Sequence, residues 1–177
     1  KQNDLSVEEF LSNSGVLPNS EIVGGVFRFV REKRLSLWVE SAFRVLEKRD
    51  DIFFIAVGDG PERKNIERIV QEVGFGDKIL FPGKTNVVSS WLKKFDLFLL
   101  TSEIEGLPNV LIEAQGFGVP VLTTRAGGSE DTFENYDSGV LLIKSDADKI
   151  AKQIEICLDD EIWREHAKIR AKDFASE

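Results

Sequence analysis

The chain has 177 residues, enough for one domain with a sizeable core, and its 42% hydrophobic and 31% charged residues are those of a globular protein. A net charge of −8 argues against a general nucleic-acid binder or an anionic-membrane patch. Cys157 and His166 are each alone, which excludes a disulfide framework, a thiolate metal cage and a multi-histidine site. No apolar run approaches the length of a membrane span, and no signal peptide is visible. The chain starts at Lys1 and contains no Met, so it is expected to be a fragment of a longer protein, with targeting signals outside it.

In chain order, Val7, Phe10 and Leu11 suggest one short helix, and Pro18 and Asn19 a turn. Residues 1–20 are set apart as a linker or crossover segment, and residues 21–177 as the domain proper. Glu21 to Phe27 is the first predicted strand. Leu35, Trp38, Val39, Ala42, Val45 and Leu46 then recur at helical spacing. Ile52 to Val57 is a continuous apolar strand. Pro61 suits a helix start, Ile66, Ile69, Val70 and Val73 make its apolar stripe, and Gly74 stops it. Lys78 to Phe81 is the third strand, followed by a stripe at Val88, Trp91, Leu92 and Phe95. Leu97 to Leu100 is the fourth strand, Val119 to Thr123 the fifth, and Gly139 to Ile143 the sixth. Ser145 and Asp148 have capping-box spacing before the stripe Ala147, Ile150, Ala151, Ile154, Cys157 and Leu158. A last helix starts near Glu161 and carries Trp163, Ala167 and Phe174.

Strands without polar alternation, each followed by a helix, imply a parallel sheet covered on both faces. The expected architecture is therefore α/β, a Rossmann-like doubly wound sheet of about six strands. Ligands of such sheets sit at the carboxyl ends of the strands. Four loops occupy such ends: Arg28 to Arg34, Gly58 to Pro61, Ser102 to Asn109, and Thr124 to Ser129.

The third of these loops carries the most information. Glu105 and Glu113 stand eight positions apart, separated by Gly106, Leu107, Pro108 and the start of an apolar helix, Asn109 and Val110 among it. One carboxylate is thus on a loop and one on a helix. Helix N-termini carry partial positive charge and unpaired N–H groups, which suit phosphate. Carboxylates nearby can accept hydrogen bonds from sugar hydroxyls. A nucleotide sugar offers both groups. Arg28, Arg31, Lys33 and Arg34 reverse the sign of an acidic protein at another strand end, where a diphosphate would account for them.

Other motifs read more simply. Gly58, Asp59, Gly60 and Pro61 lack the third glycine of a dinucleotide fingerprint, since position 63 is Arg63, so they are read as a turn needing small residues. Asp146 and Asp148 are read as helix-capping acids rather than metal ligands. No metal site is expected, and His166 is assigned a packing or surface role.

The segment SEIEGLPNVLIE, Ser102–Glu113, resembles the acid, seven residues, acid signature of retaining glycosyltransferases with the GT-B fold, and more narrowly their family 4. Other blocks agree in the family's order. RFVREK (Arg28–Lys33) is similar to its diphosphate motif, and VGDGP (Val57–Pro61) to its second-strand turn. ILFPG (Ile79–Gly83) is similar to the strand that meets the nucleobase, and GVPVLTTRAGGSED (Gly118–Asp131) to its donor loop. The closing RAKDF (Arg170–Phe174) resembles the family's last helix before the chain returns to the first domain.

The resemblance implies one half of a GT-B fold, the carboxyl-terminal, donor-binding half. It implies that Arg28 and Lys33 bind the donor diphosphate as leaving group and that Glu105 lies near the donor sugar. Glu113, about two turns into its helix, would bond the ribose hydroxyls. Gly106, Leu107 and Pro108 would line the donor site, the N–H groups of Asn109 and Val110 would meet phosphate, and Gly83 and Lys84 would lie near the base. Asp131 stands where the family usually has Glu, with Glu130 beside it. The implied donor is a nucleoside-diphosphate sugar carrying UDP or GDP, with no cofactor. The implied partner is an amino-terminal domain of the same chain, which would hold the acceptor and supply any membrane contact. The implied place is the cytoplasm or the cytoplasmic face of a membrane. A nucleotide-sugar epimerase of related architecture, or a non-catalytic nucleotide-sugar-binding module, is the alternative.

Overall fold

The computed structural model describes residues 6–143 and 145–176. Among these residues six parallel strands form one sheet: β1 (Glu21–Val26), β2 (Ile52–Val57), β3 (Ile79–Gly83), β4 (Leu97–Leu100), β5 (Val121–Thr124) and β6 (Gly139–Leu142). Their order is β3-β2-β1-β4-β5-β6. The chain walks outward from β1 to β3 and then returns to the other side of β1 with β4, the order of a Rossmann-like sheet. Around the sheet lie α1 (Val7–Asn13), α2 (Leu35–Leu46), α3 (Arg63–Val73), α4 (Val88–Leu92), α5 (Asn109–Gly116), α6 (Ala147–Asp159) and α7 (Glu161–Phe174). Helix α2 packs on α6 and α3, and α5 packs on α7.

The apolar runs account for this arrangement. Every residue of β2 and β4 is buried, as strands covered on both faces require. All six residues of the α2 stripe are buried. Trp38 is fully covered, and its indole N–H donates to Leu99 O in β4 at 3.1 Å, so the largest side chain of α2 ties that helix to the centre of the sheet. A fully buried Leu or Phe contributes about 1.5–3 kcal/mol relative to exposure.

Boundaries differ from expectation where local chemistry intervenes. β3 runs on to Gly83 through Pro82, which is tolerated because β3 is the sheet edge. β5 begins at Val121, two residues later than predicted. α3 begins at Arg63, so Pro61 lies in the preceding turn. α4 ends at Leu92, although Phe95 beyond it is buried. The Ser145–Asp148 capping box does not form. Asp146 is the N-cap, accepting from the Lys149 N–H at 2.9 Å, while Asp148 pairs with Arg44 at 3.0 Å. Within the segment assigned to a linker, α1 buries Val7 and Leu11, and Phe10 meets Trp91 edge-on with ring centroids 5.4 Å apart.

At the amino ends of the strands, Arg49 pairs with Glu21 (2.8 Å), Asp51 (2.6 Å) and Asp159 (2.9 Å), and Arg164 also bonds Glu21. Asp96 accepts the Ile22 N–H at 2.9 Å beside this network. The charged stitching is thus at the opposite end of the sheet from the predicted ligand loops.

Candidate functional site

β1 and β4 are neighbours, and the chain leaves them toward opposite edges of the sheet. Their carboxyl ends therefore flank a crevice between the loops 27–34 and 101–108. The first loop is zipped to the turn after β2. The Phe27 N–H donates to Val57 O (3.1 Å), the Phe29 N–H to Asp59 O (2.9 Å), and the Glu62 N–H to Phe29 O (3.1 Å). Gly58 has φ +146°, and a Cβ there would stand 1.9 Å from Phe27 O; one at Gly60 would stand 2.4 Å from Phe29 O. Small residues are needed because the two backbones touch. With Phe27 and Phe29 buried on the inner side, Arg28 between them is exposed.

Arg28 and Lys84 line one cleft of about 600 Å³, together with Phe27, Gly58, Asp59 and Thr85. A second recess of about 580 Å³ shares Asp59, Gly60 and Lys84 with it and adds Arg63 and Gly83. Arg63 is held there by Glu67 (2.7 Å) and by Phe81 O (2.8 Å).

Lys33 and Glu105 meet across the crevice, Nζ to Oε1 at 2.5 Å. The Ser102 hydroxyl donates to the same oxygen at 2.5 Å. The loops are joined through the backbone as well, the Glu103 N–H donating to Glu32 O at 2.8 Å. Arg34, with φ +48°, donates from Nε to Thr101 O at 2.7 Å and from Nη2 to the Thr124 hydroxyl at 3.3 Å. Thr101 in turn donates to Lys33 O at 3.1 Å. Arg34, read from the sequence as part of the basic cluster, is thus engaged in holding the crevice. Arg31 is exposed.

The loop after β5 closes on the same place. Gly127 has φ +60°, and Cβ atoms at Gly127 and Gly128 would stand 2.2 Å from Glu105 O and 2.1 Å from Gly106 O. The Gly128 N–H donates to Gly106 O at 3.0 Å. Glu130 pairs with Arg125 at 3.1 Å, and Asp131 is exposed. Gly106 and Leu107 are exposed, and Pro108 is buried.

Helix α5 departs from expectation at its start. Pro108 (φ −76°, ψ 83°) stays outside it, and the Asn109 N–H is used within the turn, donating to Leu107 O at 2.9 Å. Of the two amides assigned to phosphate, only that of Val110 makes no hydrogen bond among the described residues. Because α5 begins at Asn109, Glu113 stands about one turn in, roughly 6 Å along the axis, not two. Its side chain is exposed and is not brought to Lys33 or Glu105 by any ion pair among the described residues.

Sequence reasoning missed Arg34, Thr101, Ser102 and Thr124 as the frame of the site. The signal was a polar run at the ends of apolar strands: buried hydroxyls there require partners. Among the described residues no cluster of three His, Cys, Asp or Glu side chains is placed to hold a metal, and no helix is long and apolar enough to cross a membrane.

A family profile described as Glycosyl transferases group 1 matches residues 7–174. The chain belongs to the group 1 glycosyltransferases. Among group 1 relatives and their neighbours, it is 34% identical to N-acetyl-alpha-D-glucosaminyl L-malate synthase of Bacillus anthracis, over 85% of this chain and 39% of that protein. It is 45% identical to the Vi polysaccharide biosynthesis protein VipC/TviE of Salmonella typhi, over 68% of this chain and 21% of that one. Its fold matches Anabaena HepE, solved in complex with UDP and glucose, with a TM-score of 0.84 at 23% identity, over 94% of this chain and 46% of that one. It also matches the C-terminal domain of the group 1 protein LpcC from Francisella tularensis, with a TM-score of 0.79 at 23% identity, over 89% of this chain and 85% of that one. The chain therefore spans less than half the length of HepE and of these two curated relatives, and it has the fold of one GT-B half.

Proposed function

We propose that this chain is the donor-binding half of a retaining glycosyltransferase that moves a hexose-type sugar from a nucleoside-diphosphate sugar to an acceptor. The observation that carries this reading is the crevice itself: Lys33 and Glu105 meet at the β1/β4 switch point, with Arg28 on the same loop as Lys33. Breaking the sugar–phosphate bond builds positive charge at the anomeric carbon and negative charge on the departing diphosphate. Arg28 and Lys33 are assigned to the latter, as cations that stabilise the growing charge. Glu105 is assigned to the sugar end, and Glu113 to ribose hydroxyls. Gly83 and Lys84, on the two adjoining recesses, are assigned to the base side.

Retention of anomeric configuration is proposed on family grounds, with acceptor attack from the leaving-group face. Holding an acceptor in line can contribute about 7–11 kcal/mol. That task is assigned to a second domain of the same protein, so the chain alone is proposed to bind donor without efficient transfer. A cytoplasmic or membrane-face location is proposed for the full protein. UDP complexes of a structural relative make UDP the first nucleotide to test.

The basic pair carries the charge that a metal would otherwise supply, so metal-independent binding is proposed. Calorimetry of UDP, GDP and ADP with this chain, with and without a chelator, tests it. One of the three is expected to bind equally well in both conditions. Loss of binding in chelator would refute the metal-free site, and failure of all three would refute the donor-site reading.

A further inference from the structure

We propose that Glu105 is a built-in competitor of the donor's diphosphate for Lys33. The inference rests on the crevice being a diphosphate site, and it adds that nucleotide binding proceeds by exchange of one anion for another on the same ammonium. The Lys33 Nζ lies 2.5 Å from Glu105 Oε1, and the side chains are only 24% and 10% exposed, so each neutralises the other in a poorly solvated place. A diphosphate that uses Lys33 must first loosen this pair.

The surroundings are built for such an exchange. Ser102 is fully buried, and its hydroxyl donates to the same Glu105 oxygen, so the carboxylate keeps a donor when Lys33 turns away. The Ser102 carbonyl is itself fixed by the Thr124 hydroxyl at 2.8 Å. Glu105 Oε2 makes no hydrogen bond among the described residues, leaving an acceptor for a hydroxyl. The Glu103 N–H on Glu32 O and the Thr101 hydroxyl on Lys33 O hold both stems, so only the ends of side chains need move. A lysine ammonium on a flexible stem changes partner without the geometric demands of a guanidinium fork. A pair that served only to staple the loops would duplicate the contacts already made by Arg34, Thr101 and Glu103.

The test is a double-mutant cycle on this chain with Glu105→Gln and Lys33→Met, using calorimetry with UDP and with inorganic pyrophosphate. Glutamine can still accept from Ser102, and thermal melts check that each variant folds. Glu105→Gln is expected to tighten both ligands about tenfold, a size set by roughly 1.4 kcal/mol of relieved competition. In the Lys33→Met background the same substitution is expected to gain almost nothing. An equal gain in that background would overturn the proposal, since the effect would then be diffuse charge relief. Unchanged or weaker binding by Glu105→Gln would overturn it while leaving the donor-site reading intact. Failure of the unaltered chain and of every variant to bind either ligand would refute both.

Discussion

Arg34 Nε donates to the carbonyl oxygen of Thr101 at 2.7 Å, joining the loop after β1 to the end of β4. The two strands are adjacent in the sheet, but the chain between them makes two further strands and three helices. With the Glu103 N–H on Glu32 O and the Thr101 hydroxyl on Lys33 O, this bond joins the walls of the crevice in which Lys33 meets Glu105.

Arg34→Ala should destabilise the fold and weaken nucleotide binding together. Two hydrogen bonds from a charged group are lost, and each such bond is worth about 1.5–3 kcal/mol. Relief of the left-handed backbone at φ +48° does not come with alanine, which prefers other conformations. Urea unfolding and UDP calorimetry measure the two effects. Normal stability with normal affinity would show that the strut is dispensable.

Glu113→Gln should weaken binding of the free nucleoside diphosphate, because the carboxylate is assigned to ribose rather than to the transferred sugar. Its exposed position on α5 puts the expected loss at the low end of the charged hydrogen-bond range, about 1.5 kcal/mol. Folding should be unaffected, since the side chain has no ion pair among the described residues to lose. Calorimetry with UDP and with its 2′-deoxy analogue checks the assignment. A mutant as sensitive to the missing hydroxyl as the unaltered chain would contradict it.

Gly58→Ala should be among the costliest single changes in the chain. The new Cβ would stand 1.9 Å from Phe27 O at φ +146°, a clash with backbone and not with a movable side chain. Strain of this kind costs about 1–3 kcal/mol before any repacking. The loop bearing Arg28 has to shift, so a fall in melting temperature should accompany weaker nucleotide binding. A variant with an unchanged melting temperature would show that the two loops are not in forced contact.

Asp96→Asn should stabilise the protein at neutral pH. Burial raises the Asp96 carboxyl above its usual value of 3.8, helped by nearby Glu21 and opposed by the Ile22 N–H, Lys168 and Arg164. A raised folded value means that Asp96 favours the folded state below the ordinary carboxylate value, and that this contribution is lost as pH rises through the folded value. Asparagine can accept the Ile22 N–H without the buried charge. Unfolding at pH 7.5 should favour the variant, and the advantage should shrink toward pH 4. A variant less stable at neutral pH would mean that the charge is held favourably by Lys168 and Arg164.

The order and approximate positions of the strands and helices, and the family, were legible in the amino-acid pattern, with ends such as those of β3, β5 and α3 displaced by a residue or two. The Leu35–Leu46 stripe shows a helical period, whereas the continuous run Ile52–Val57 has none and reads as a strand from its short length, its β-branched and aromatic content and the glycine that follows it. The motifs assigned to the donor site stood out in the sequence because Arg28, Lys33 and Glu105 lie on loops at the carboxyl ends of strands, where ligands of such sheets bind. Which of these groups meet follows from the strand order and not from the local pattern. Lys33 and Glu105 are 72 positions apart, and their contact depends on β1 and β4 lying side by side. The same holds for Arg34 on Thr101 and for Gly127 against Glu105. Local pattern cannot encode a partner that arrives from another strand, since hydrophobic periodicity records only how deeply a residue is buried and not what lies opposite it.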